Sequence, residues 1–194
     1  MSIKILPYQL KKQISQIKTN YFFPSLNGLK GNVLEIGYGK EENFKYYSKE
    51  CSLYAIDKRN KLLSPQKIEN QESCKVFIQK GNAEQMPFQN DFFEAVVASF
   101  VFCSVDSVEK AVQETKRVLK KGGKLILLEH IKSNNKFIRA IQGIITKIQA
   151  LFSIECHLNR DPRNFIKSNS FQIIEEKIYL NSFEPYLYLE AIKQ

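Results

Sequence analysis

Acid is missing from the start of this chain of 194 residues: no aspartate or glutamate precedes Glu35, whereas Lys4, Lys11, Lys12, Lys18 and Lys30 do. A second stretch, residues 116–147, holds nine basic residues and one acid, Glu129. Together they carry more than the whole net charge of +9, leaving the middle of the chain near neutral or acidic. Such asymmetry suits a surface drawn to phosphate, on lipid headgroups or nucleic acid, and equally a solvated lysine-rich face. Long apolar runs are also missing. None approaches the roughly 18 residues needed to cross a bilayer, and the opening MSIKILPYQLKK is too polar for a secretory signal. A cytoplasmic protein is expected. The four cysteines, at 51, 74, 103 and 156, form no C-x-x-C pair. Small buried thiols in a reducing compartment are therefore expected, and a metal site is not.

What is present begins at residues 32–49, NVLEIGYGKEENFKYYSK. An apolar run of Val33, Leu34 and Ile36, interrupted only by Glu35, ends at Gly37-Tyr38-Gly39. A buried strand entering a glycine turn builds a ligand pocket at the strand's carboxyl end. Glycine takes positive φ there and lets backbone approach a ligand closely. A dinucleotide fold would place a third glycine at position 42, which is Glu, so an NAD-dependent oxidoreductase is disfavoured. Glu35 is a charge in a buried strand and needs a partner. The aromatic residues Phe44, Tyr46 and Tyr47 predict an amphipathic helix after the turn.

The length suits one domain with a sizeable core, spanning 1–194. Within it, residues 1–30 form an N-terminal helical segment: Leu10, Ile14, Ile17 and Tyr21 lie on one helix face, placed at the pocket mouth or the sheet edge. Pro24 and Gly28 punctuate before the first strand. A second strand, 52–57, ends in Asp57, about 20 residues past the glycine turn, where such folds hold ribose hydroxyls. Strands are predicted at 76–78, 95–98 and 124–129, with a helix over 107–121 capped by Asp106 or Ser107 and stopped by Gly122. A long helical stripe, Phe137, Ile138, Ile141, Ile144, Ile145, Ile148, Leu151 and Phe152, is edged by Lys136, Arg139 and Lys147. A helix at 162–168 and strands at 171–178 and 186–192 close the chain.

Four ordered blocks, LEIGYGKEENF, YAIDKR, GNAEQMPFQNDFFEAVVASFVFCSV and VQETKRVLKKGGKLILLEH, resemble the class I S-adenosylmethionine-dependent methyltransferases. The runs FVFCSVDS, LLEHIKS and CHLNRDPRNFIKSNSF are similar to a smaller group of thiol S-methyltransferases, with phospholipid and ubiquinone-biosynthesis relatives. The fold implied is α/β and Rossmann-like: a doubly wound, seven-stranded sheet, mostly parallel, with an antiparallel C-terminal hairpin. The cofactor implied is S-adenosylmethionine, leaving S-adenosylhomocysteine as product. Glu35, Gly37 and Gly39 would face its methionine moiety, with Glu35 reaching the ammonium directly or through water. Asp57 would hold the ribose, Lys58 would flank the adenine, and Asn82 and Ala83 would bind its edge. Ser99 and Phe100 would line the methyl side. Two positions depart from the family pattern: Glu41 replaces the third glycine of E-x-G-x-G-x-G, and Asn82 replaces an acid.

On that resemblance His130, at the end of the fifth strand, is the candidate catalytic base, with His157 as runner-up. The acceptor expected is small and hydrophobic: a thiol, quinol precursor, lipid amine or similar. Residues 131–168 form inserted helices on the acceptor side, and with the basic N-terminus they predict peripheral contact with an anionic membrane. Two further readings stay open. A nucleic-acid methyltransferase would use the charge, although residues 99–102 read SFVF and lack the Asx-Pro-Pro-aromatic signature of amino-directed base methylases. A non-catalytic methyltransferase-like binding protein would tolerate the altered glycine motif.

Overall fold

A strand that is apolar on both faces must be covered on both, and this requirement organises the molecule. The computed structural model describes residues 8–59, 74–151, 156–179 and 184–194. At its centre lies β1 (Gly31–Ile36), paired in parallel with β2 (Cys51–Asp57) on one side and β4 (Phe93–Ser99) on the other. Outside them run β3 (Lys75–Lys80), parallel to β2, and β5 (Leu119–His130), parallel to β4. The last two strands, β6 (Phe171–Tyr179) and β7 (Tyr186–Lys193), add antiparallel to β5 through β7. The order is β3-β2-β1-β4-β5-β7-β6 across one seven-stranded sheet. It is the mostly parallel α/β architecture with an antiparallel hairpin that the resemblance implies.

Alternation in β1 sends its side chains to two cores. Leu34 and Ile36 join Val96, Ala98, Leu125 and Leu127 on one face, covered by α3 (Val108–Val118) and by Ile166 of α5 (Arg163–Ser168). Val33 joins Ala95, Val97, Ile126 and Leu128 on the other, covered by the N-terminal helical segment. That segment runs as α1 (Tyr8–Ile17), a π-helical turn (Lys18–Phe22) and α2 (Phe23–Asn27), and buries Ile14, Ile17, Phe22 and Leu26. It lies over the sheet face rather than at its edge. Pro24 sits in the first turn of α2, where its missing N–H is no loss, and so does not end the helix.

Two sequence expectations fail locally. After the glycine turn there is no amphipathic helix, only a 3-10 turn at Phe44–Tyr46, and Tyr47 is already extended. Phe44 and Tyr47 plunge into the core while Tyr46 stacks on Phe23, with ring centroids 3.6 Å apart. Three aromatic anchors thus settle the segment without further helical turns. The helix predicted to 121 ends at Val118, capped at its start by the Ser107 hydroxyl accepting Lys110 N–H at 3.3 Å. Leu119 is wholly buried opposite Phe93 and already belongs to β5. Gly122, at φ +75°, therefore turns the chain within the strand's entry instead of stopping the helix. Between β5 and β6 stand α4 (Lys136–Leu151) and α5.

Candidate active site

The strand order reverses at β1, with β2 on one side and β4 on the other, so a crevice opens beyond the carboxyl ends of these strands. On the β1–β2 side the glycine turn is pinned in place. Gly37 N–H donates to the Ile56 carbonyl at 2.7 Å, and Gly39 N–H donates to Asp57 Oδ2 at 3.3 Å. Gly37 has φ +70°, and a Cβ there would lie 2.5 Å from a Val101 methyl. Only glycine lets the turn close against Val101. Gly39, at φ +57°, needs glycine for its backbone alone, since an added Cβ meets nothing nearer than 3.9 Å. Glu41, where the family pattern wants glycine, also takes positive φ, at 56°. The backbone conformation survives and the side chain bears the strain.

Asp57 is buried at the end of β2, its Oδ1 accepting Arg59 N–H at 2.8 Å. With about four lone-pair sites, the carboxylate retains acceptor capacity for a further pair of hydroxyls. Lys58 beside it is exposed. Asn82 is exposed on the neighbouring loop, and its Oδ1 accepts Glu84 N–H at 3.0 Å. Ala83 is buried in the core cluster under that loop. Glu35 is 1% exposed and accepts from Asn43 Nδ2 at 2.8 Å. Its other oxygen, also buried, has no hydrogen bond of normal geometry, beside Tyr47 and near Lys18. Burial raises the Glu35 carboxyl to about 7, against the pull of Asn43, Tyr47 and Lys18.

The β4–β5 side gathers a different set. Ser99 is half-buried opposite Leu128. Phe100 follows with φ 58°, a strained backbone for an aromatic residue, and its N–H donates to the Leu128 carbonyl at 2.8 Å. Its ring lies 5.6 Å from the His130 imidazole. His130 is buried, with Nε2 3.1 Å from Cys156 Sγ. Burial presses its pKa down, but Cys156, Glu129 and Glu184 outweigh that and raise it. Cys156 is lowered to about 5, first by the hydrogen bond from Cys103 and then by His130. His157 instead turns its Nδ1 to the Cys103 carbonyl, 3.1 Å away, which is a local structural contact.

The fold brings Glu35, Gly37, Gly39 and Asp57 to the carboxyl ends of β1 and β2, and Ser99, Phe100 and His130 to those of β4 and β5, while His157 lies in a loop contact with Cys103. Sequence spacing did not reach every partner in the site. It missed Asn43 and Tyr47, the partners that a buried Glu35 demanded. It also missed Glu129, whose Oε1 accepts Val101 N–H at 2.7 Å and Phe102 N–H at 2.8 Å. The signal was available, because Glu129 is the lone acid of a basic stretch and stands in a buried strand. The cysteine spacing offered no reason to expect a metal site. The fold nevertheless brings Cys103, His130 and Cys156 together, with donor atoms all within 4.8 Å of one another.

Comparison with known proteins places this arrangement. Residues 34–127 match the methyltransferase domain family. The chain is 32% identical over 136 residues to a thiol S-methyltransferase of Mus musculus, covering 67% of this chain and 53% of that one. It is 28% identical over 148 residues to the phosphatidylethanolamine N-methyltransferase of Cereibacter sphaeroides, covering 71% and 72%. It thus spans about half the length of the mouse relative. A solved S-adenosylmethionine-dependent methyltransferase of Methanosarcina mazei shares the fold, with a TM-score of 0.68 at 18% identity over 89% of this chain and 97% of that one. Strand order, glycine turn, strand-end acid and family match agree: residues 34–127 belong to the methyltransferase domain family.

Proposed function

We propose that this chain transfers a methyl group from S-adenosylmethionine to a small, hydrophobic acceptor. The observation that carries this reading is the pairing, across one strand reversal, of an Asp57-tethered glycine turn with the Phe100–His130 cluster. The residues present fit the cofactor. Glu35 has a buried oxygen without a normal hydrogen bond, suited to a nearby ammonium, and acts from beneath the turn. Asp57 has acceptor sites for the ribose, with Gly39 and Arg59 N–H groups holding its orientation. Lys58 borders the adenine, Asn82 offers its amide nitrogen, and Ala83 forms the floor of that side.

When bound, the cofactor supplies a methyl group on a sulfonium, already activated for in-line displacement. The chain must align the nucleophile and exclude water, so positioning provides much of the rate. Ser99 and Phe100 shape the methyl side. His130 stands where the acceptor's nucleophile arrives. Calorimetry with S-adenosylmethionine, followed by radiolabel transfer to alkyl thiols, quinol precursors, phosphatidylethanolamine and small amines, tests this reading. Saturable cofactor binding with transfer to an apolar acceptor is expected; no saturable heat would leave a non-catalytic scaffold.

The acceptor's hydrophobic character is supported by α4, whose apolar stripe is split between half-buried Ile138, Ile141 and Ile145 and an exposed remainder. Its buried positions include Gln142 and Thr146, bonded to Ser133 N–H at 2.9 Å and Leu158 N–H at 3.2 Å. Its apolar Phe137, Ile144 and Ile148 are 74%, 58% and 48% exposed. Leu151 and Phe152, the end of the predicted stripe, have side chains outside the described residues. Exposed Lys136, Arg139 and Lys147 accompany the outward face, a pattern suited to the headgroup region of an anionic membrane. Among the described residues no helix is long and apolar enough to cross a bilayer. Peripheral contact predicts salt-sensitive pelleting with anionic vesicles that is lost on charge reversal at Lys136 and Arg139. Persistence in the supernatant throughout would make α4 a lid over a soluble acceptor.

A further inference from the structure

Three side chains from distant parts of the chain meet on the acceptor side. Cys103 comes from the turn after β4, His130 ends β5, and Cys156 follows α4. Their donor atoms all lie within 4.8 Å of one another, with Cys156 Sγ 3.1 Å from His130 Nε2. All three are buried, at 4%, 6% and 9% exposure for Cys103, His130 and Cys156. We propose that they hold a zinc ion whose fourth position receives the thiol to be methylated.

The donor chemistry suits that ion. Two thiolates and one imidazole are a borderline-soft set, and zinc bonds of about 2.3 Å to sulfur and 2.0–2.1 Å to nitrogen put tetrahedral ligand atoms roughly 3.5 Å apart. Cys156 Sγ and His130 Nε2, at 3.1 Å, lie slightly inside that spacing and no pair of donors exceeds 4.8 Å, so small side-chain shifts bring the three to it. Their backbones are already tied together. The Cys103 carbonyl accepts His157 N–H at 2.8 Å, linking the first cysteine's turn to the second cysteine's segment. Leu158 N–H donates to Thr146 Oγ1 at 3.2 Å, fixing that segment to α4. Glu129 shapes the Cys103 turn from below through the Val101 and Phe102 N–H groups. Its Oε2 is buried without a hydrogen bond of normal geometry among the described residues, and the carboxylate lies against the Cys103 thiol. The ring nitrogen that zinc would leave free, His130 Nδ1, is likewise buried without a hydrogen bond among the described residues.

The grouping contains three protein ligands, which is the count of a zinc site that keeps one position for a reactant. Phe100 and Ile145 pack on the cluster, giving that position apolar neighbours. A thiol binding there releases its proton to solvent, because zinc holds the thiolate form. The acceptor sulfur's lone pair then forms the new bond to the methyl carbon. The bond from methyl to sulfonium breaks, and its electron pair stays on the departing thioether sulfur. The methylated product has lost its anionic sulfur and leaves the ion.

The acceptor role rests on the methyltransferase reading, whereas metal binding does not, and the test separates them. The full chain is stripped with chelator under reductant and titrated with cobalt(II) as the optical probe, then with zinc. One equivalent per chain is expected, with thiolate-to-cobalt charge-transfer absorption and the strong visible bands of tetrahedral cobalt. C103S, C156S and H130A should lose these bands, while C51S and C74S keep them. Adding an alkyl thiol should shift the charge-transfer band. No stoichiometric metal in the wild type, or an unchanged spectrum in C156S, overturns the site. Should these variants fail to fold by circular dichroism, alkylation of the wild type decides: zinc must slow iodoacetamide modification of Cys103 and Cys156, mapped by mass spectrometry, and unchanged rates overturn the site. Equal thiol methylation by stripped and zinc-loaded protein overturns the acceptor role. Metal binding without S-adenosylmethionine binding leaves the site standing and removes the methyltransferase reading.

Discussion

Two glutamates, Glu35 near the end of β1 and Glu129 near the end of β5, face the same problem on opposite sides of the site. Both are buried in parallel strands, and burial raises each to about 7. Their partners differ. One oxygen of Glu129 accepts two backbone N–H groups of a single turn, whereas Glu35 accepts from the Asn43 side chain with Tyr47 and Lys18 close by. Backbone donors cannot leave, so Glu129 is an anchor for the turn that carries Phe100 and Cys103. Side-chain donors can be rearranged, so Glu35 can exchange partners when a cation arrives nearby. The β4–β5 side is held by backbone geometry and the β1–β2 side by charge.

The comparison breaks first at Glu129. E129A leaves two buried N–H groups without an acceptor, at roughly 1–3 kcal/mol each, so a loss of about 3 kcal/mol is expected in denaturant unfolding. E129Q keeps an acceptor oxygen and should recover most of it. A loss below about 1 kcal/mol in E129A would mean that water replaces the carboxylate and that Glu129 is no anchor. Next comes Asp57. Removing its bidentate, charge-assisted capacity should cost roughly 2–4 kcal/mol of cofactor binding, more than tenfold in affinity, with the fold retained. Unchanged calorimetric affinity in folded D57A would take Asp57 out of the site.

Glu35 sharpens the contrast through pH. Its folded pKa of about 7 lies above the ordinary 4.5, so the stability it contributes is full below about pH 4.5 and is lost as pH rises through 7. A cofactor ammonium reverses the preference, since it favours the ionised carboxyl. Affinity for S-adenosylmethionine should therefore rise about eightfold between roughly pH 6 and pH 7.5, as the ionised fraction of Glu35 does, and E35Q should flatten that profile. A flat wild-type profile would dissociate Glu35 from the ammonium. The smallest effect belongs to Glu41, whose φ of 56° suits glycine better. E41G should bind the cofactor comparably and gain about 0.5–1 kcal/mol of stability at most, as strain relief is partly offset by the freer unfolded chain. Complete loss of binding would make Glu41 a ligand contact.

The strand runs and the glycine turn were legible because their signals are local. Apolar runs at 33–36 and 95–98 and a chain turn requiring glycine are short-range consequences of burial and backbone sterics. Asp57 could be found by its distance from that turn. The segment at 44–47 was misread because aromatic spacing states that residues are buried, not against what; Phe23, the partner of Tyr46, comes from the N-terminal segment. The stop assigned to Gly122 failed for a similar reason, as Leu119 was claimed by its neighbour Phe93 before the helix could reach the glycine.

The apolar stripe of α4 shows the limit most clearly. Periodicity established a helix with an apolar side, and it left open whether core or solvent would receive that side. Tertiary structure answered by burying Gln142 and Thr146, whose hydrogen bonds to Ser133 and Leu158 exist only once those segments have come together. The cluster of Cys103, His130 and Cys156 has the same origin. By itself the sequence determined a doubly wound sheet with a glycine turn and a strand-end acid, because pattern and backbone sterics act over a few residues. Only the tertiary structure decided that Cys103, His130 and Cys156 would share one buried place, because their proximity depends on long-range strand pairing and helix docking, which spacing along the chain does not encode.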